Sequence, residues 1–153
     1  MANSIDHDAI VRHIADTRFP FLDQQDWPAD YHTIVNAGSP TLVIGTSAGD
    51  AYPDIVIVND DQAVCEMGEV ENEVTPDLAK KWRYYSETVP VNDDTGVRHF
   101  FVYVPDGQEE VARAMLEENG ISYSGVRAYR LETDGRIRIV PYVTPGAVKD
   151  HRE

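Results

Sequence analysis

The sequence predicts an α/β domain with a central mixed β-sheet flanked by helices, and three observations predict it. Ile55, Val56, Ile57 and Val58 form a continuous β-branched run, and residues 99–104 (HFFVYV) form a second apolar run. Such runs belong to strands covered on both faces, which occur where helices pack on each side of a sheet. Helical signals at residues 6–16, from Thr75 onward and at 108–119 separate the strand candidates. Helices, hairpins and buried strands interleaved in this way imply one layered α/β domain over residues 1–153.

The elements follow in order. Ile10, Ile14 and Ala15, with Val11 beside them, recur at helical spacing against a polar face of Asp8, Arg12 and Asp16, and Ser4 or Asp6 can cap that helix. Phe19, Phe21, Leu22 and Trp27, broken up by Pro20 and Pro28, are expected to cover one edge of the core. Residues 33–36 and 41–45 read as strands, and 45–53 as a loop. After the β-branched run, Asn59, Asp60, Asp61 and Gln62 supply turn chemistry, and residues 63–71 return as an antiparallel partner.

Thr75-Pro76-Asp77 reads as a capped helix start with Leu78, Trp82 and Tyr85 on one face. Asp106 is expected to cap a helix with Val111, Ala112, Met115 and Leu116 inward and Gly120 as its stop. Residues 126–131 and 136–140, joined at Asp134-Gly135, form a C-terminal β-hairpin.

Charge narrows the setting. Lys and Arg number 13 against 27 Asp and Glu, a formal net charge of −14, and the lysines are Lys80, Lys81 and Lys149 alone. A surface so negative repels nucleic acid and anionic membranes at low salt, whereas near 1 M salt a Debye length of about 3 Å screens that repulsion. An acid-rich, lysine-poor surface resembles that of proteins from salt-loving organisms. The single cysteine, Cys65, allows no internal disulfide, and the apolar runs are far shorter than the ~20 residues of a membrane span. With no basic, apolar leader at the start, the expected location is cytoplasmic, with no membrane partner.

One constellation carries chemistry. Side chains alternate along a strand, so Glu69 and Glu71 share a face with Val70 on the other. A turn centred between Asp60 and Asp61 sets Asp54 opposite Met67, one step from Glu69. Three carboxylates thus gather at one end of the hairpin. Burying them costs several kcal/mol each unless something offsets their charge, and a hard divalent cation such as Mg²⁺ does so.

Pro53-Asp54 followed by Glu69-Val70-Glu71 on the next strand resembles the motif of the PD-(D/E)XK nuclease superfamily. The order of elements over about residues 5–120 is similar to the αβββαβ core of restriction-endonuclease-like proteins. The resemblance implies a nuclease that hydrolyses phosphodiester bonds in DNA with Mg²⁺ or Mn²⁺, acting as a homodimer. Asp54 and Glu69 would bind the metal, helped by the Val70 carbonyl. Glu71 stands where the motif has lysine, and would orient or deprotonate the attacking water. Lys80 and Lys81, on the following helix, are candidates for a lysine moved off the strand. The alternative is an inactive member of the same fold that binds nucleic acid or a protein.

Other residues have plainer readings. Glu66 and Glu73 read as surface carboxylates, Cys65 as a buried thiol, and Asn92-Asp93-Asp94-Thr95-Gly96 as a turn. Arg127, Arg130, Arg136 and Arg138 form the densest basic cluster, which could contact phosphates or simply face solvent. The five histidines show no metal-ligand spacing.

Overall fold

A computed structural model describes residues 7–18, 32–36, 44–46, 49–51, 53–61, 63–91 and 96–145. Its elements are α1 (His7–Arg18), β1 (His32–Val35), β2 (Ile44–Thr46), β3 (Gly49–Ala51), β4 (Ile55–Val58), β5 (Val64–Val70), α2 (Leu78–Thr88), β6 (Phe100–Pro105), α3 (Glu109–Glu118), β7 (Gly125–Leu131) and β8 (Ile137–Val143). Six strands form one sheet in the order β1-β4-β5-β6-β7-β8, and β2 and β3 pair separately. β1, β4 and β5 run antiparallel, β6 and β7 continue parallel to β5, and β8 returns antiparallel. The sheet is mixed, as expected, and the expected loop at 45–53 contains the short β2–β3 hairpin instead.

The β-branched run behaves as its composition demands: every residue of β4 is buried. One face of the sheet packs Met67, Phe100, Val102 and Val104 against Trp82 and Tyr85 of α2 and Ala112 and Leu116 of α3. The other packs Ile55, Ile57, Val70, Phe101 and Tyr103 against Ile10, Val11 and Ile14 of α1. The order β5-α2-β6-α3-β7 puts both crossover helices on one face, which leaves the opposite face for α1.

Several local expectations are corrected. Helix α2 begins at Leu78, with Asp77 in the capping position and no side-chain cap; Thr75 instead donates its hydroxyl to Asp77. Gln108 and not Asp106 stands at the capping position of helix α3, with no side-chain cap; Asp106 lies in the turn before it. Val111 is 53% exposed, because Ala112 and Leu116, four residues apart, take the inward stripe and turn Val111 outward. Glu66 is buried beside His99, 3.6 Å away, since β4 and β6 flank it on either side. The C-terminal hairpin is as expected, with Gly135 at φ 88°, a left-handed turn conformation that glycine adopts without strain. Ser4, Asp6, Phe19, Phe21, Leu22, Trp27, Leu42, Val43, Gln62 and the turn at 92–95 lie outside the described residues.

Candidate functional site

The site forms where β4 begins and β5 ends. Ile55 pairs with Gly68, so Asp54 faces Glu69 directly and not Met67. A register shift between Ile57 and Val58 moves the pairing, because Val58 meets Val64 while Ile57 meets Glu66. An extra residue in one strand is a β-bulge, and it re-aims everything beyond it. That bulge supplies one of the two steps that move Asp54 from Met67 to Glu69; the turn supplies the other, since Val58 already meets Val64 and not Ala63.

Asp54 and Glu69 lace the two strands together. The Asp54 backbone N–H donates to Glu69 Oε1 at 3.0 Å, and the Val70 N–H donates to Asp54 Oδ2 at 2.8 Å. Asn36, just past β1, fixes the approach: its backbone N–H donates to the Asp54 carbonyl at 2.9 Å and its side-chain amide to the Pro53 carbonyl at 2.6 Å. Glu71 lies just beyond β5, where its carbonyl accepts from the Tyr129 hydroxyl at 2.7 Å. Its carboxylate accepts from Trp82 Nε1 at 2.9 Å.

Lys81 reaches this end of the sheet from the first turns of α2. Its ammonium stands 2.9 Å from Glu69 Oε2 and 2.7 Å from Glu71 Oε2, while Lys80, the next residue back, is exposed. Asp54, Glu69 and Glu71 are all buried. Burial and then the Asp54 charge push the Glu69 carboxyl well above the usual glutamate range, against the pull of Lys81. Burial works against the Lys81 ammonium, but Glu69 and Glu71 outweigh it and hold Lys81 above the ordinary lysine value. Burial, followed by the Glu69 charge, raises Tyr85, which packs alongside.

His7 completes the cluster, and sequence reasoning missed it. Its Nε2 donates to the Val70 carbonyl at 3.0 Å and lies 3.3 Å from Asp54 Oδ2. The Asp54 hydrogen bond raises its pKa from 6.5 to about 9, burial opposing. One sequence signal was available: His7 precedes Ile10, Val11 and Ile14 by three, four and seven residues, which puts it on the core-facing stripe of α1. Its partners lie on other elements, so spacing along the chain carries no trace of them.

These groups open onto a cavity of about 610 Å³, lined by His7, Asp54, Glu69, Glu71, Glu73 and Lys81 among others. Glu73 is exposed at its mouth. The donors are of the type a hard divalent cation takes, carboxylate oxygens and the Val70 carbonyl. Among the described residues, however, no three His, Cys, Asp or Glu side chains stand ready as a metal-holding group. The geometry explains this. Asp54 Oδ2 and Glu69 Oε1 are committed to backbone N–H groups, and Lys81 occupies the space between Glu69 and Glu71.

The arginine cluster does not form a track. Arg127 is 1% exposed, packed over the Phe101 ring, with Nη1 donating to the Val126 and Val143 carbonyls. Arg130, Arg136 and Arg138 each lie against acids, at Asp106, Asp134 and Glu132 respectively. Cys65 is half-buried and its thiol faces the Ala63 carbonyl. No helix among the described residues is long and apolar enough to cross a membrane. Compared with known protein families, curated proteins and solved structures, the chain matches none.

Proposed function

We propose that this chain is a Mg²⁺- or Mn²⁺-dependent nuclease of the PD-(D/E)XK type, with a restriction-endonuclease-like core, that hydrolyses phosphodiester bonds in DNA as a homodimer. One observation carries the reading: Lys81 projects from α2 to within 2.9 Å of Glu69 and 2.7 Å of Glu71, bringing an ammonium to the end of the strand whose own lysine position holds glutamate. The topology supports it, since α1, the antiparallel β1-β4-β5, the crossover α2 and the parallel β6 run in the order αβββαβ.

Asp54, Glu69 and the Val70 carbonyl would hold the metal. When bound, the metal lowers the pKa of a neighbouring water and neutralises charge on the phosphate. The chain's own residues do the rest. Glu71, fixed by Trp82, orients the attacking water and accepts its proton. Lys81 loosens from one carboxylate to meet the phosphate oxygen on which charge grows. Tyr129 anchors the backbone at Glu71, so the general base keeps its direction. A net charge of −14 requires salt to screen DNA before it reaches this cavity, which points to activity that rises with ionic strength.

A second reading has its own observation. His7 and Lys81 already satisfy the buried carboxylates internally, so the cluster can stand as a closed ion network in an inactive domain that binds nucleic acid or a protein. Cleavage of supercoiled and single-stranded DNA with Mn²⁺ or Mg²⁺, from low to molar KCl, separates the two. The nuclease reading expects Asp54→Asn, Glu69→Gln and Lys81→Ala to lose cleavage on the order of a hundredfold or more. Equal cleavage by all proteins, or none by the wild type at any salt, would leave the inactive-domain reading.

A further inference from the structure

We propose that His7 is a built-in occupant of the cation position, which an incoming divalent ion must displace. The inference rests on the metal site proposed above and adds how that site is guarded. Two of the three groups assigned to the metal, Asp54 and the Val70 carbonyl, are faced by His7 Nε2, which lies 3.3 Å from Asp54 Oδ2 and 3.0 Å from the Val70 oxygen. A Mg²⁺ ion sits about 2.0–2.1 Å from its oxygen ligands and brings its own waters. An N–H donor cannot keep its bond to the same carbonyl lone pair while such an ion is seated there. The ring's other nitrogen, Nδ1, lies 3.5 Å from Asp8, so both nitrogens are turned to acceptors and neither is offered to a metal.

The arrangement is sterically suited to release. His7 is the first residue of α1 and keeps 31% of its side chain exposed, whereas Ile10, Val11 and Ile14, which anchor the helix, are fully buried. Swinging the imidazole outward uncovers the Val70 carbonyl and the His7-facing side of Asp54 Oδ2, which keeps its bond from the Val70 N–H, without disturbing that apolar stripe. Lys81 plays the matching part on the opposite side, between Glu69 and Glu71. The metal-free cluster is therefore held together by His7 and Lys81, and loading replaces the histidine because it, and not Lys81, faces Asp54 and the Val70 carbonyl. Metal binding then reports on the first turn of α1.

Titration calorimetry with Mn²⁺ on the full chain tests this, using wild type, His7→Ala, His7→Gln and Asp54→Asn. Removing one charge-assisted hydrogen bond that competes with the ion should make His7→Ala bind Mn²⁺ roughly tenfold more tightly than wild type. His7→Gln, a neutral donor, should fall between them. Saturating Mg²⁺ should also speed amide exchange at residues 7–11 of the wild type. Unchanged or weaker Mn²⁺ binding by His7→Ala, with Asp54→Asn binding lost, overturns the occupant role and makes His7 inert or a ligand while leaving the metal site standing. Absence of Mn²⁺ binding in every protein, or equal binding by Asp54→Asn, overturns both. Folding of each variant is read from its far-ultraviolet circular dichroism, and His7→Gln keeps the comparison alive if His7→Ala unfolds.

Discussion

Lys81→Met tests whether the acidic cluster is the energetic centre of this end of the sheet. The ammonium lies 2.9 Å from Glu69 and 2.7 Å from Glu71. At an effective dielectric of about 20, each contact has a gross attraction of about 6 kcal/mol, most of it offset by the desolvation of the ions. Methionine keeps the apolar stem of lysine and removes the ammonium with its charge and donors. Two buried carboxylates are then left facing Asp54 without compensation, a change that costs about 3–5 kcal/mol in fully buried pairs. Lys81 is 35% exposed, so water substitutes for part of the loss and the expected destabilisation is about 2–4 kcal/mol.

Urea unfolding followed by tryptophan fluorescence, with chelator present, measures it, and with a slope of about 2 kcal/mol/M the midpoint should drop by about 1–2 M. Adding Glu69→Gln should restore at least half, because the unpaired buried charge disappears with it. The pH dependence has a definite sign. A carboxyl whose folded pKa is raised lowers stability above that value and stops doing so as it protonates, so the deficit of Lys81→Met should shrink as pH falls towards the ordinary glutamate range. A variant within 0.5 kcal/mol of wild type, or a double variant no more stable than the single one, would refute the assignment.

In metal-free buffer, His7 at a pKa of about 9 stabilises the fold fully below its ordinary 6.5 and loses that contribution as pH rises through about 9. Linkage puts this at about 3 kcal/mol at most, and solvent screening of a side chain 31% exposed brings it to roughly 1–2 kcal/mol, read as the pH-dependent gap between wild type and His7→Gln in urea. Gly125→Ala would place a Cβ 2.3 Å from Arg127 Nη1; because that guanidinium is packed over Phe101 and bonded to two carbonyls, we expect a loss of about 1–3 kcal/mol by thermal melting. Melting in multimolar KCl should occur at higher temperature than in low salt, because 27 acids against 13 bases repel one another until screened, and a higher melting point without salt would contradict that view of the surface.

The local features of the site were legible one element at a time. The β-branched run at Ile55–Val58 could only be a strand covered on both faces, and alternation along the next strand put Glu69 and Glu71 on one side with Val70 on the other. Lys81 was visible as one of two candidates because the helix after the hairpin carries adjacent lysines. Choosing between them needed the helix's orientation: Trp82 and Tyr85 face the sheet, which swings Lys81 towards the strand end and leaves Lys80 in solvent. Glu66 shows the opposite case. An acid in an alternating strand reads as solvent-facing until the sheet is known to continue past it on both sides.

By itself the sequence determined the class of fold, the strand hairpin that carries the acids, and the excess of negative charge, because hydrophobic period, turn chemistry and composition are properties of short stretches of chain. Tertiary structure alone decided which groups meet. The turn after β4 and the bulge between Ile57 and Val58 together set Asp54 opposite Glu69, Asn36 fixed its approach, and α1 delivered His7 onto the Val70 carbonyl from 63 residues away. Such pairings depend on how helices pack against a sheet and on a single extra residue in a strand, and neither leaves a periodic trace in the sequence.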